Sequence, residues 1–273
     1  MEQFLLNNGQ KMPVLGFGLF GMPDYDQAAS VTVQALHNGY RHLDTATRYQ
    51  NEAAIGQGIR DSGVPREDIF LTTKVWNDMQ REGKVRESLE DSLKAFGTDY
   101  VDMFMIHWPV PGHFTNSWKI MESIYREGLA KSIGVCNFRP VDLEQLAAVS
   151  DIVPVVNQIE IQPYFQQNET VKYCTDRHIQ MMAWGTLTSG KSNLLEDPVL
   201  VNLAKKHGKT PAQIVIRWNY QRNIVCLVKS ATPSRQKQNL DIFDFVLDEN
   251  DMKQIAALDC GQRMGRDPAD SDF

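Results

Sequence analysis

Ile69-Phe70-Leu71-Thr72-Thr73-Lys74 is followed by the amphipathic segment Gly83–Phe96, and then by a second apolar run, Val101–Trp108. A short β-branched run, a longer segment stopped by Gly97, and another short run are the pattern of strand, helix and strand. The same alternation recurs along the chain. Strands are predicted at Val14–Phe20, Arg41–Ala46, Ile69–Lys74, Val101–Trp108, Lys131–Asn137, Val155–Ile161, Gln180–Trp184 and Ile224–Lys229. Helices are predicted at Gln27–Asn38 (with Asp26 before it and Gly39 after), Glu52–Ser62, Gly83–Phe96, Ser117–Glu127 and Pro140–Val149. Two more fall between the last two strands: Pro198–His207, and one starting at Thr210-Pro211, an N-cap followed by proline at the first helical position.

Strands alternating with helices imply βαβ units and a parallel sheet. Eight such units in 273 residues fit an α/β fold of the closed (β/α)8 TIM-barrel type, capped by an N-terminal β-hairpin and carrying extra helices. The hairpin is Met1–Met12, with turn-like Asn7-Asn8-Gly9, and a polar tail follows Asp259. No Ser/Gly/Pro-rich linker divides the chain, so residues 1–273 are expected to form one domain. The competing architecture is an open doubly wound sheet, which the alternation alone does not separate from a barrel.

Composition narrows the function classes. The chain is 42% hydrophobic and 23% charged, ordinary for a globular protein, with 28 basic and 34 acidic residues for a net charge of −6. That balance argues against a nucleic-acid partner. Cys136, Cys174, Cys226 and Cys260 show neither C-x-x-C nor zinc-site spacing, so they are expected to be reduced thiols, and no metal site is expected. The N-terminus has no secretory pattern and the longest apolar run is far short of the ~20 residues a membrane span requires. A cytoplasmic monomer with no membrane partner is the expectation.

One motif invites a different reading. Gly16-Phe17-Gly18-Leu19-Phe20-Gly21 matches G-x-G-x-x-G after a strand, and Asp44 lies 23 residues beyond its last glycine. A dinucleotide-binding Rossmann turn needs its third glycine inside the helix, whereas Gly21 is followed by loop-like Met22-Pro23-Asp24. In a barrel, working residues sit at the C-terminal ends of strands. Those positions are Asp44, Lys74, His107, Asn137, Gln158, Trp184 and Lys229, seven polar, ionisable or indole-bearing residues converging on one mouth. Asp44 and Lys74 end adjacent strands, which predicts a salt bridge. Tyr49 lies five residues further on, in the loop above. A neighbouring ammonium is expected to lower the phenol's pKa and make it a better acid, while Asp44 keeps Lys74 charged. His107 offers a second N–H to the same space.

Asp44-Thr45-Ala46-Thr47-Arg48-Tyr49-Gln50-Asn51-Glu52 resembles the D-T-A-x-x-Y-x-N-E signature of the aldo-keto reductases. Leu71–Trp76, Ile106–Pro109, Ser132–Phe138 and Val156–Glu160 resemble other motifs of that family, from Leu6 to the tail. Val75–Asp78, Ala183–Gly185 and His207–Gln213 are most similar to bacterial 2,5-diketo-D-gluconate reductases. The resemblance implies a barrel that binds NADPH across its mouth without a Rossmann fold, and makes Asp44 a catalytic-site residue.

It also implies roles. Tyr49 would be the general acid, Lys74 paired with Asp44 its tuner, and His107 the group that orients the carbonyl. Asn137 and Gln158 would hold the nicotinamide carboxamide and Trp184 would stack on the ring, with Cys136 standing where the family usually has Ser. Gly185, Leu187, Thr188, Ser189 and Gly190 would carry the pyrophosphate, Thr186 and Thr188 replacing the usual Pro and Gly. Lys229, Ser230, Ala231, Arg235, Gln238 and Asn239 match the adenosine-phosphate site, which favours NADPH over NADH; Gln238 stands where relatives often have Glu. Phe20, Trp76, His107 and Trp108 would line the substrate pocket. The expected activity is reduction of aldehydes and ketones, such as sugar-derived keto acids or methylglyoxal. The alternatives are a cofactor-binding sensor or accessory subunit, and a structural protein that kept the barrel. The tail from Cys260 onward is expected to order over bound ligand.

Overall fold

The computed structural model describes residues 2–270; Met1, residues 271–273 and the Ser189 side chain lie outside that description. Eight parallel strands close into a barrel: β3 (Leu15–Gly18), β4 (His42–Asp44), β5 (Phe70–Val75), β6 (Met103–Ile106), β7 (Ile133–Cys136), β8 (Val156–Glu160), β9 (Gln180–Trp184) and β10 (Ile224–Val228). β10 pairs with β3, so the sheet has no free edge and the open-sheet alternative is excluded. Each strand falls within its predicted run or within one residue of it. The observed strands are mostly shorter, because their end residues turn into the loops that build the mouth.

Ahead of the barrel, β1 (Gln3–Leu5) and β2 (Lys11–Pro13) form an antiparallel hairpin. Its Leu6 and Met12 pack with Phe70, Met103, Met105, Met182, Val225 and Leu227, so it plugs the bottom of the barrel. A second, larger apolar cluster fills the layer between strands and helices.

The helices are α1 (Tyr25–His37), α2 (Glu52–Ser62), α3 (Asn77–Arg81), α4 (Val85–Phe96), α5 (Phe114–Glu127), α6 (Pro140–Ala147), α7 (Asn168–Asp176), α8 (Pro198–His207), α9 (Pro211–Gln221), α10 (Pro233–Leu240) and α11 (Glu249–Ala256). α1 starts two residues before expectation, because Asp24 rather than Asp26 caps it, accepting from the Gln27 N–H at 2.8 Å. α9 starts as expected, with Thr210 and Gln213 forming a reciprocal capping box. α3, α7, α10 and α11 were not among the predicted helices; the five residues of α3 lie just beyond Trp76. Among the described residues, no helix is long and apolar enough to cross a membrane.

The glycine motif has a packing explanation. A Cβ on Gly16 would lie 2.5 Å from Leu227 Cδ2 and 2.6 Å from His42 Nδ1, so Gly16 makes room for a histidine inside the barrel. Gly21 takes a left-handed turn (φ +69°), and α1 begins only at Tyr25. The Rossmann reading therefore fails on geometry as well.

Candidate active site

Six of the seven strand-end residues are joined by contacts at the C-terminal mouth. Lys74, fully buried, donates to Asp44 Oδ1 at 2.7 Å and to the Thr45 carbonyl at 2.8 Å. Gln158 Nε2 donates to the other oxygen, Asp44 Oδ2, at 2.8 Å. Asn137, in the left-handed region (φ 65°), donates through Nδ2 to the His107 carbonyl at 3.0 Å and accepts from Trp184 Nε1 at 2.9 Å. Cys136 bridges the amides: Asn137 Nδ2 lies 3.2 Å from its sulfur, and the thiol points to Gln158 Oε1 at 3.5 Å. Lys229 stands apart, beside Gly21.

Tyr49 closes the 3-10 turn Thr47–Tyr49, with the Lys74 ammonium 5.5 Å from its ring centroid. Its ring meets Phe20 edge-on at 5.0 Å and His107 at 5.7 Å. The direction of its pKa corrects the expectation drawn from sequence. Burial, then the Asp44 carboxylate, then Cys136 push the phenol well above its ordinary value. Lys74 does not reverse this, because the Asp44 carboxylate, 2.7 Å from its ammonium, acts on the phenol in the opposite sense. His107 moves the other way: burial and the Lys74 charge hold its pKa well below 6.5, so the ring is neutral at neutral pH. Neither ring nitrogen has a partner among the described residues, and Nδ1 is buried. An uncharged imidazole can donate one hydrogen bond to a carbonyl oxygen without supplying a full charge.

Phe20 and Trp76 flank the mouth beside Tyr49 and His107. Phe20 is 65% exposed, and Trp76 stands edge-on to His107 at 5.0 Å. Trp108 is mostly buried and stacks beside His107 at 6.5 Å, behind the wall more than on it.

The two phosphate regions differ in character. Gly185 (φ 67°) and Gly190 (φ 75°) bracket a tight loop containing the turn Thr188–Gly190. The hydroxyls that replace the family's Pro and Gly are engaged inside the loop: Thr186 donates to the Ala183 carbonyl, and buried Thr188 accepts from Ser192. Leu187 packs toward the outer core. Thr186 thus spends its proton within the loop, whereas Thr188, as an acceptor, keeps its own, and the backbone N–H groups add further donors.

The second region is open. Lys229, Ala231, Arg235 and Gln238 are exposed, Ser230 is half-buried, and Asn239 is buried on α10. Neither Lys229 nor Arg235 has an ion-pair partner among the described residues, and partial burial lowers the pKa of Lys229. Ser230 Oγ accepts from the Thr232 N–H at 3.0 Å, and buried Gln236 donates to the Ser230 carbonyl at 3.0 Å. Two unpaired cations and a hydroxyl on a braced turn fit a phosphate.

Three contributors escaped the sequence reading. Gln236 braces the cationic turn. Asn51 accepts from Thr45 Oγ1 at 2.7 Å and donates to the Leu19 carbonyl at 2.9 Å, tying the Tyr49 loop to the Phe20 loop. Glu160, 1% exposed at the end of β8, accepts the N–H groups of Met264 and Gly265 at 2.7 and 2.8 Å. Gly265 lies so close to the Trp184 indole that an added Cβ would sit 2.2 Å from Cη2. The described part of the tail is thus held by contacts within the chain, and residues 271–273, which the ligand-ordering expectation also covers, lie outside the described residues. Gln162 adds a hydrogen bond to the Gln262 carbonyl at 2.9 Å.

A closed barrel whose mouth holds a buried Asp–Lys pair, a tyrosine and a neutral histidine defines a class of oxidoreductase sites. Residues 14–259 match the model of the aldo/keto reductase family. The chain belongs to that family, whose chemistry is carbonyl reduction. It is 43% identical to the methylglyoxal reductase DkgA of Salmonella typhimurium, over 96% of this chain and 95% of that protein. It is also 43% identical to the 9,11-endoperoxide prostaglandin H2 reductase of Trypanosoma cruzi, over 96% and 93%. Among solved structures, an aldo-keto reductase from a Medee basin deep-sea metagenome library superposes with a TM-score of 0.95 at 41% identity, covering 99% of this chain and all of that one.

Proposed function

We propose that this chain reduces small aldehydes and ketones to alcohols with NADPH, acting on methylglyoxal-type dicarbonyls or sugar-derived keto acids, with Tyr49 as the general acid. The observation that carries the reading is the Tyr49 ring, its hydroxyl without a hydrogen-bond partner among the described residues, 5.7 Å from the ring of a neutral His107 beside the buried Asp44–Lys74 pair. NADPH, when bound, supplies the hydride that no side chain of the protein can provide. The unpaired Lys229 and Arg235 fit its 2′-phosphate, with Ser230, Ala231, Gln238 and Asn239 around the adenosine. Asn137 and Gln158 suit the carboxamide, Trp184 the nicotinamide ring, and backbone groups of Gly185, Leu187, Thr188, Ser189 and Gly190 the pyrophosphate.

The chain's own residues handle the proton. His107 donates a hydrogen bond to the carbonyl oxygen and sets its direction. As negative charge grows on that oxygen it becomes more basic than a phenolate, and Tyr49 transfers its proton. Lys74 keeps the space beneath the phenol electrostatically balanced against Asp44. Phe20 and Trp76 bound an apolar pocket, with Trp108 backing its wall. Four free cysteines suit a reducing cytoplasm, and we read the chain as a one-domain monomer.

Steady-state NADPH oxidation with methylglyoxal and glyceraldehyde tests this reading. Tyr49→Phe should lower kcat by about 10²–10⁴-fold, the usual worth of a positioned acid, while NADPH affinity stays within roughly twofold. Undiminished turnover in that variant overturns the mechanism. NADPH binding without turnover in the parent would instead favour a sensor.

A further inference from the structure

Arg48 occupies the middle of the 3-10 turn that presents Tyr49. The turn is rigid: Tyr49 N–H donates to the Ala46 carbonyl at 2.9 Å, Gln50 N–H to the Thr47 carbonyl at 3.2 Å, and Thr47 Oγ1 to the Lys74 carbonyl at 3.1 Å. Side chains on a helix of three residues per turn diverge by about 120° between neighbours. Tyr49 points to the barrel axis, and Arg48 is directed to the face of Trp76, its Cζ 5.5 Å from the ring centroid. Trp76 in turn stands edge-on to His107 at 5.0 Å. The guanidinium is exposed and makes no hydrogen bond or ion pair among the described residues. Its donors are unused while its position is fixed by the indole. Lys74 is engaged below the phenol, and the rings nearest Arg48 in the mouth, Trp76 and Tyr49 with Phe20 beside it, are aromatic.

We infer that Arg48 is a specificity-determining residue that receives an anionic group, carboxylate or phosphate, on the carbonyl substrate. The inference rests on the reductase reading of the same mouth. A planar guanidinium matches either oxyanion with paired N–H donors. In a protein of net charge −6, a local cation is what draws an anionic substrate to the mouth. A neutral carbonyl compound gains nothing from it.

The test compares matched pairs: 4-carboxybenzaldehyde with 4-nitrobenzaldehyde, and glyceraldehyde 3-phosphate with glyceraldehyde. In Arg48→Gln, the ratio of kcat/KM for anionic over neutral partner should fall tenfold or more, mainly through KM, and Arg48→Lys should restore part of it. A fall confined to one pair identifies carboxylate or phosphate as the group read. Ratios equal to the parent's in both pairs overturn the inference while leaving the reductase reading intact. Calorimetric titration with benzoate and benzyl alcohol separates binding from turnover. Arg48-dependent benzoate binding in a protein that reduces neither aldehyde would support Arg48 and refute the reductase reading.

Discussion

Tyr49 shows how far one side chain's chemistry depends on its neighbours' mutual distances. An ammonium near a phenol stabilises phenolate, but here a carboxylate 2.7 Å from that ammonium acts on the phenol in the opposite sense. Burial and Asp44 then dominate, and the phenol is held protonated. A donor that never loses its proton near neutral pH suits reduction; as a base for alcohol oxidation it would be poor. Reduction should therefore show no loss of rate assignable to Tyr49 below about pH 10, the phenol's ordinary value. Difference absorbance near the phenolate band, compared between the parent and Tyr49→Phe, checks this. A phenolate signal lost with Tyr49 and titrating near pH 8 would contradict it. Which residues form the quartet Asp44, Tyr49, Lys74 and His107 was legible, since each ends or follows an apolar run. The sign of the Tyr49 shift was not, because it depends on which of two opposite charges survives pairing.

At the scale of elements, the strands position the site and the connections tune it. Glu160 and Trp184 are direct neighbours in the β8–β9 register, and the tail crosses both. That tail could be read from sequence only as polar, because Glu160 and Met264 are 104 residues apart and no local periodicity links them. The same holds for Gln236, whose partner Asn38 lies 198 residues away. Strands and capped helices, by contrast, are written in adjacent residues, so all eight barrel strands could be located and only their ends erred. The contact at Gly265 gives a direct test. In Gly265→Ala the new methyl displaces the indole, and NADPH binding should weaken roughly two- to tenfold, the range that losing an aromatic stack of ~0.5–1.5 kcal/mol produces. Trp184→Tyr, a smaller ring, should recover most of that loss in the double variant. Fluorescence titration with NADPH measures both, and parent-like affinity in Gly265→Ala would show that the indole is not held by the tail.

For the whole molecule, the barrel interior sets a limit on acid stability. His42 lies fully buried, 3.0 Å from Thr72 Oγ1, and burial with the Lys74 charge lowers its pKa to about 3. His107 is depressed as well. Both must bind protons on unfolding, so their contribution is present above pH 6.5 and is lost as pH falls toward the native values. The loss should approach about 1.4 kcal/mol per histidine for each pH unit below 6.5. Glu52 and Asp102, whose values are raised, act in the opposite sense. Urea denaturation at pH 7, 6 and 5 measures it, and a flat profile would contradict it. The mouth has a further property. Small dicarbonyls are electrophiles that form adducts with thiols and amines, yet this cavity contains a cysteine and a lysine. Cys136 is buried and its thiol is pushed far from ionising, and the Lys74 nitrogen is bound to Asp44 and the Thr45 carbonyl. The thiol is not a thiolate and the amine is engaged on both sides, so under the proposed activity a reactive carbonyl would meet no ready nucleophile on these walls.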